Sequence, residues 1–332
     1  MRVMVTGGAG YIGSVVIEEL LAAGHDVTAY DDLRTGHRDA VIPPARLVEG
    51  DVLDATALGD ALRAGRIEAV VHMAADALVG ESMAEPARYY VNNLTGGLVL
   101  LDAMRAAGVE TIVFSSSAAV YGNAEKQPID EDDPVQPTNP YGETKLAFER
   151  ALGWYGEAYG LRSARLRYFN AAGASERNGE RHAHETHLIP LALQAAAGTR
   201  PALTVYGDDY PTPDGTCIRD FVHVSDLARA HVLALDALAA GGPGGAYNLG
   251  CGGGASVREV VDAVRRVTGR DVPVHVAPRR AGDPPRLVAA AARIQRELGW
   301  APRHPTLDEI VGSAWRFMQR RGQEFNATSK RS

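Results

Sequence analysis

Short apolar runs rich in valine, isoleucine and threonine recur at residues 2–6, 26–30, 46–49, 69–73, 111–115 and 163–169. Alanine- and leucine-rich segments of helical character separate them. That alternation is the wiring of βαβ units, and it predicts an α/β fold with a doubly wound parallel sheet whose ligands bind at the carboxyl ends of the strands. After about residue 175 the alternation fails, and segments punctuated by glycine and proline, such as Tyr206-Gly-Asp-Asp-Tyr-Pro-Thr-Pro-Asp-Gly215, stand among shorter helical stretches. We expect a sheet domain over residues 1–175, a smaller α/β lobe over 176–325 that covers the substrate, and a disordered tail over 326–332. Gly241 to Gly245 reads as a turn between elements, and no internal repeat or long linker is evident.

Composition narrows the function classes. A chain of 332 residues with 45% hydrophobic and 23% charged content buries a full core. Its net charge of −7 provides no overall basic field, so neither nucleic acid nor an anionic membrane is an expected partner. Any phosphate must be held by local positive groups. No uninterrupted apolar stretch reaches the ~20 residues that span a bilayer. The first strand begins at once with no leader ahead of it, and Cys217 and Cys251 cannot build a disulfide framework. A reduced, cytoplasmic location is expected.

Thr6-Gly-Gly-Ala-Gly-Tyr-Ile-Gly13 follows the first strand and opens a helix. Gly7, Gly10 and Gly13 let backbone approach a pyrophosphate at the helix's positive end, with Tyr11 and Ile12 beside it, which makes the sheet Rossmann-type. Asp31 and Asp32 end the second strand, ~20 residues beyond the glycines, where a carboxylate accepts from adenosine ribose hydroxyls and repels a 2′-phosphate; NAD is expected over NADP. Both also read as ordinary turn residues. Asp51 and Val52 after the third strand, and Ala74 and Ala75 after the fourth, suit a groove lined by close backbone.

Tyr141-Gly-Glu-Thr-Lys145 follows a proline-rich loop and begins a helical segment, so Tyr141 and Lys145 share one face at i and i+4. A lysine ammonium and a positive nicotinamide ring would lower the phenol's pKa and let it take an alcohol proton as hydride leaves. Ser115-Ser-Ser117 lies after the fifth strand at the same edge, where Ser117 could share that proton; serines there are also common in turns.

Gly7, Gly10, Gly13, Ser117, Tyr141 and Lys145 together resemble the extended short-chain dehydrogenase/reductase family, through nearly the whole chain. Ser115-Ser-Ser-Ala-Ala-Val-Tyr-Gly122, Tyr168-Phe-Asn170, Glu185-Thr-His-Leu-Ile-Pro190, Asp209-Tyr-Pro-Thr-Pro-Asp-Gly-Thr216 and Arg219-Asp-Phe-Val-His223 are similar to its UDP-glucose 4-epimerase branch. Nucleotide-sugar dehydratases carry an Asp-Glu pair after the active-site hydroxyl residue, and decarboxylases of UDP-glucuronate a glutamate; this chain has Ala118-Ala119. The resemblance thus implies oxidation and re-reduction at one carbon, interconverting UDP-galactose and UDP-glucose on tightly held NAD. UDP-N-acetylglucosamine and UDP-glucuronate 4-epimerases are the neighbouring readings, and a catalytically dead NAD-binding sensor is the reading outside enzymes.

The same resemblance assigns cofactor contacts to Ser115, Tyr168 and Asn92, although Asn92 also reads as a helix cap. Ala77 departs from the family, which often places a lysine there. Arg219 and Arg280 match the diphosphate-binding positions, Asp283 the acceptor from the uridine ribose, and Asn170 a diphosphate-sugar contact. His187, Leu188 and Tyr206 would flank the sugar and uracil, and Leu287 stands where room beside the C2 substituent is set. His182, His184 and His187 invite a metal reading, but their spacing suggests no carboxylate partner and the family uses no metal, so we expect solvated loop histidines and no metal. Family members pair through two helices, and segments 92–107 and 143–158 suit such a homodimer.

Overall fold

A computed structural model describes residues 1–280 and 283–329, with residues 324–329 as backbone alone. The six expected strands form as β1 (Arg2–Thr6), β2 (Asp26–Asp31), β3 (Arg46–Glu49), β4 (Ala69–His72), β5 (Thr111–Ser117) and β6 (Arg162–Tyr168). They lie parallel in the order β3-β2-β1-β4-β5-β6, with a further strand, Gly245–Leu249, beside β6. Chain direction through the sheet reverses between β1 and β4, so a ligand crevice opens at the carboxyl ends of these two strands.

Both faces of the sheet are covered, which is why its strands read as nearly unbroken apolar runs. Within β1 the side chains alternate: Val3 and Val5 pack with Val16, Ile17, Leu20 and Leu227, while Met4 packs on the opposite face with Val70, Leu100 and Phe148. Helices α1 (Tyr11–Ala22) and Val224–Ala239 cover the first face; α2 (Ala55–Ala64), Gly96–Ala107 and Pro140–Tyr159 cover the second. Each fully buried valine or leucine contributes about 1.5–3 kcal/mol relative to an exposed one.

The division expected at residue 175 does not follow the sheet. The strand Gly245–Leu249 and the helix Val224–Ala239 belong to it, and Gly245, read as part of a turn, opens that strand. Gly-Ala-Tyr-Asn-Leu has no β-branched residue and only Tyr247 to favour a strand, so its sequence carries little strand signal. A second core does form from later residues, with Ile189, Leu193, Val260, Val264, Ile310 and Val311 brought together by helices Leu188–Ala197, Val257–Thr268 and Leu307–Ser329. That last helix takes in residues 326–329 of the expected disordered tail, and residues 330–332 lie outside the described residues.

Short pairings bring the later residues back to the crevice. Asn170–Ala172 runs parallel to Phe221–His223, and Ile218–Arg219 pairs with both Arg286–Leu287 and Ala255–Ser256. Arg219 and Leu287 are direct partners in that register.

One buried ion pair joins sheet to helix. Arg167 on β6 donates to Glu149 of the helix Pro140–Tyr159 through Nε and Nη2, at 3.0 and 2.6 Å, and Ser116 on β5 donates to the same carboxylate at 2.5 Å. Arg167 also donates to the Tyr121 hydroxyl, which donates in turn to Asn248 on the edge strand. Arg167→Met leaves Glu149 buried without its cation and should cost on the order of 3–5 kcal/mol in urea unfolding; a loss below 1 kcal/mol would show that the pair is not needed.

Three buried histidines make stability depend on pH. Burial holds His72 down to about 3, and His223 and His231 to about 4. Unfolded histidines titrate near the ordinary 6.5, so between these values the unfolded chain binds the extra protons. Stability therefore falls as pH drops below about 6.5, by up to ~1.4 kcal/mol per pH unit for each histidine. Urea midpoints measured from pH 7 to pH 4.5 should decline steadily, and a flat profile would contradict the buried neutral state.

Candidate active site

The turn between β1 and α1 is closed by backbone contact. Gly7 has φ +69°, and a Cβ there would meet the Ala74 nitrogen at 2.7 Å; one on Gly13 would stand 2.2 Å from the Gly7 carbonyl oxygen. Only glycine lets β1, α1 and the end of β4 approach this closely. Gly10 caps α1 without a side chain, leaving the positive helix start open to an anion. These features fit a dinucleotide pyrophosphate.

Asp31 is buried and accepts from the amides of Ala9 at 2.9 Å and Leu33 at 2.8 Å, so its carboxylate steadies the glycine turn from the end of β2. Burial raises its pKa, against the pull of the Leu33 and Ala9 amides. Asp32 instead pairs with Arg34 at 2.5 Å, and Arg34 donates to Asn92 at 2.9 Å. Arg34 was not anticipated; its guanidinium is engaged by Asp32 and Asn92. Asn92 is no helix cap, because it lies within the π-helical turn Tyr90–Thr95 that continues from Pro86–Tyr89. Its neighbour Asn93, also not anticipated, ties the loop after β4 to the catalytic helix through Asp76 and Thr144. Asp51 accepts from the Leu53 amide, and Val52 rests on Gly96.

Tyr141 and Lys145 lie in the first turns of Pro140–Tyr159, whose start is set by Pro140 and by Asn139 accepting from the Gly142 amide. Ser117, at the end of β5, stands near the Tyr141 hydroxyl and accepts from the Ala119 amide at 3.1 Å. The Tyr168 hydroxyl lies 2.5 Å from His231 Nε2, while His231 Nδ1 faces the Leu227 carbonyl at 2.8 Å.

Lys145 Nζ donates to the Ser115 carbonyl at 2.8 Å and stands 5.7 Å from the centre of the Tyr141 ring. Burial pushes Lys145 down to about 7, with Glu149 opposing it. Burial also raises the Tyr141 phenol, and Ser117 is the group that pulls it down.

On the far side of the crevice, Arg219 is ion-paired with Asp283, and the Arg280 guanidinium stacks on Tyr206, 4.0 Å from the ring centre. One face of Tyr206 thus already carries a cation. Asn170 donates to the Asp220 carbonyl at 3.2 Å, Leu287 packs against Val120, Tyr121, Ile129 and Leu146, and His187 and Leu188 begin the helix Leu188–Ala197.

The loop histidines do have carboxylate partners. His182 and His187 face Glu180 and Glu185, whose side chains are only 9% exposed. Glu180 and Glu185 raise His182 to about 9; at His187 burial pulls the other way but the same two carboxylates prevail, to about 10. The alternating spacing hid this, since the loop's fold rather than a helical or strand period gathers the four.

A serine–tyrosine–lysine set at the mouth of a glycine-turn crevice defines a nucleotide-dependent redox class, and the comparisons agree. The chain belongs to the NAD dependent epimerase/dehydratase family, whose profile matches residues 3–250. It is 51% identical over 332 residues to the UDP-glucose 4-epimerase of Corynebacterium glutamicum, covering 100% of both chains. Its fold matches the UDP-glucose 4-epimerase of Brucella ovis in complex with NAD, with TM-score 0.93, 50% identity, and 95% and 98% of the two chains covered. The enzyme of Bifidobacterium longum in complex with NAD+ and UDP matches with TM-score 0.90 and 38% identity, over 96% and 98%.

Gly7→Ala should abolish retention of NAD, because the φ is strained and the added carbon strikes the Ala74 backbone. Nucleotide released from heat-denatured protein measures this; a wild-type yield from the variant would contradict it.

Proposed function

We propose that the protein interconverts UDP-galactose and UDP-glucose at C4 through a transient 4-keto sugar. The observation that carries this reading is the gathering of Ser117, Tyr141 and Lys145 at the carboxyl end of β5, with Ala118 and Ala119 next in line. Those alanines supply no carboxylate for elimination or decarboxylation, which leaves proton and hydride exchange at one carbon.

NAD, when bound, supplies the hydride acceptor and donor. Gly7, Gly10 and the start of α1 would hold its pyrophosphate, Asp31 its adenosine ribose, and Lys145 with Tyr168 the nicotinamide end. Tyr141 Oη takes the 4-hydroxyl proton and later returns it, and Ser117 holds the same oxygen and shares the proton. Arg219 and Arg280 hold the diphosphate, Asp283 the uridine ribose, and Asn170, His187, Leu188 and Tyr206 the remaining contacts. Cofactor binding thus falls to the sheet and substrate binding to the later residues.

A homodimer in the cytoplasm completes the proposal. Trp154 and Tyr159 on Pro140–Tyr159 are 69% and 55% exposed, an apolar surface suited to a second copy. Both cysteines are free, and no helix among the described residues is long and apolar enough to cross a membrane.

Purified protein incubated with UDP-galactose and no added NAD should form UDP-glucose, followed chromatographically, while Tyr141→Phe should lose activity by about 10²–10⁴-fold. Equal turnover by both would overturn the assignment of the base. Leu287 points to a second substrate: at this position the family uses a large tyrosine to exclude N-acetyl groups and a small residue to admit them, and leucine is intermediate. UDP-N-acetylglucosamine should therefore also turn over, and Leu287→Tyr should suppress that activity at least tenfold while sparing UDP-galactose. Parallel assays of the two sugars decide this, and equal exclusion of the acetylated sugar by both proteins would sink it.

A further inference from the structure

Glu180, His182, Glu185 and His187 sit in the loop between Asn170–Ala172 and Leu188–Ala197, and their donor atoms all lie within 4.8 Å of one another. His187 Nδ1 is 2.6 Å from Glu180 Oε1 and 2.9 Å from Glu185 Oε1; His182 Nδ1 is 3.1 Å from Glu180 Oε1 and 3.8 Å from Glu185 Oε2. Each Nδ1 carries at most one hydrogen, yet each faces two carboxylates, so hydrogen bonding alone leaves two of these four approaches without a proton. Glu185 Oε1 already accepts from the amides of Thr186 and His187. Among the described residues neither glutamate pairs with a lysine or arginine; Arg181, between them in sequence, turns to Asp39.

Two imidazole nitrogens and two carboxylate oxygens converging on one point make a ligand set for a borderline divalent ion. In a tetrahedron with bonds of about 2.0–2.1 Å the ligand atoms stand roughly 3.4 Å apart, and the observed separations straddle that value. Two carboxylates also bring the two negative charges that one such ion balances.

We propose that these four residues form a structural site for a divalent first-row metal ion, Zn²⁺ foremost. With four protein ligands no position on the ion stays open for substrate, so its task is to fix the loop, and His187, facing the cluster through Nδ1, keeps Nε2 for its substrate contact. The loop lies on the cofactor turn: the His182 ring stands edge-on to Tyr11, 6.4 Å between centres, and the Tyr11 hydroxyl donates to the Gly173 carbonyl at 2.7 Å. His37, just beyond β2, contacts the Arg181 carbonyl at 3.1 Å. The loop then runs straight into Leu188. A metal here staples together the stretch that touches the start of α1 and the stretch that begins the substrate side.

The test uses tag-free full-length protein freed of metal by chelation. Crystals grown with one equivalent of Zn²⁺ should show an anomalous peak at the zinc edge about 2.0–2.2 Å from all four ligand atoms. Calorimetric titration should give one ion per chain, with affinity lowered at least tenfold in both Glu180→Gln and His182→Ala. No peak at the cluster in the wild-type crystals, or equal zinc affinity in wild type and both variants, would overturn the site and leave a histidine–glutamate ion-pair cluster. The wild-type map decides the matter even where a variant fails to fold.

Discussion

The active site depends on a charge pair buried between sheet and helix. Arg167 and Glu149 lock β6 to the helix that carries Tyr141 and Lys145, and Ser116 brings β5, with Ser115 and Ser117, into the same contact. Removing two ions from water costs several kcal/mol each, which apolar packing would avoid. The pair instead adds direction: a forked guanidinium accepts a carboxylate in few orientations, so the helix can neither slide nor rotate relative to the strands. Lys145 lies one turn before Glu149 and Tyr141 two turns before it, so the register set by the pair is the register of the site.

That geometry accounts for the electrostatics. Lys145 stands between the Phe114 ring and the Ser115 carbonyl with His72 kept neutral nearby, so its charge is held in a nearly dry place. In a protein of net charge −7, three arginines near the crevice are each already oriented: Arg34 by Asp32 and Asn92, Arg219 by Asp283, Arg280 by Tyr206. Placement rather than an overall basic field suits the protein to a diphosphate.

The sheet was legible in the sequence wherever strands are valine-rich and covered on both faces, and β1 to β6 fall within two residues of the expected runs. The strand Gly245–Leu249 was not, because its partners rather than its residues make it a strand. Gly7, Gly13, Ser117, Tyr141 and Lys145 were legible through spacing. Asn93 and Glu149 were not, since each acts through neighbours far along the chain, and neither was the bond from Arg34 to the distant Asn92. The carboxylate partners of His182 and His187 were hidden for a different reason: an irregular loop has no period from which to read a shared face.

The edge strand drawn from the second half of the chain also sets an order in time. A chain emerging from the ribosome as far as residue 175 has six parallel strands, but β6 is left as an open edge and α1 lacks the helix Val224–Ala239 that covers its face of the sheet. Both arrive some seventy residues later, and Trp300, buried in the same core, later still. The nucleotide-binding half therefore cannot finish as an independent unit during synthesis. Its closing contacts, α1 against the helix Val224–Ala239 above all, join distant parts of the chain, so slow completion and a transiently sticky edge come with this topology.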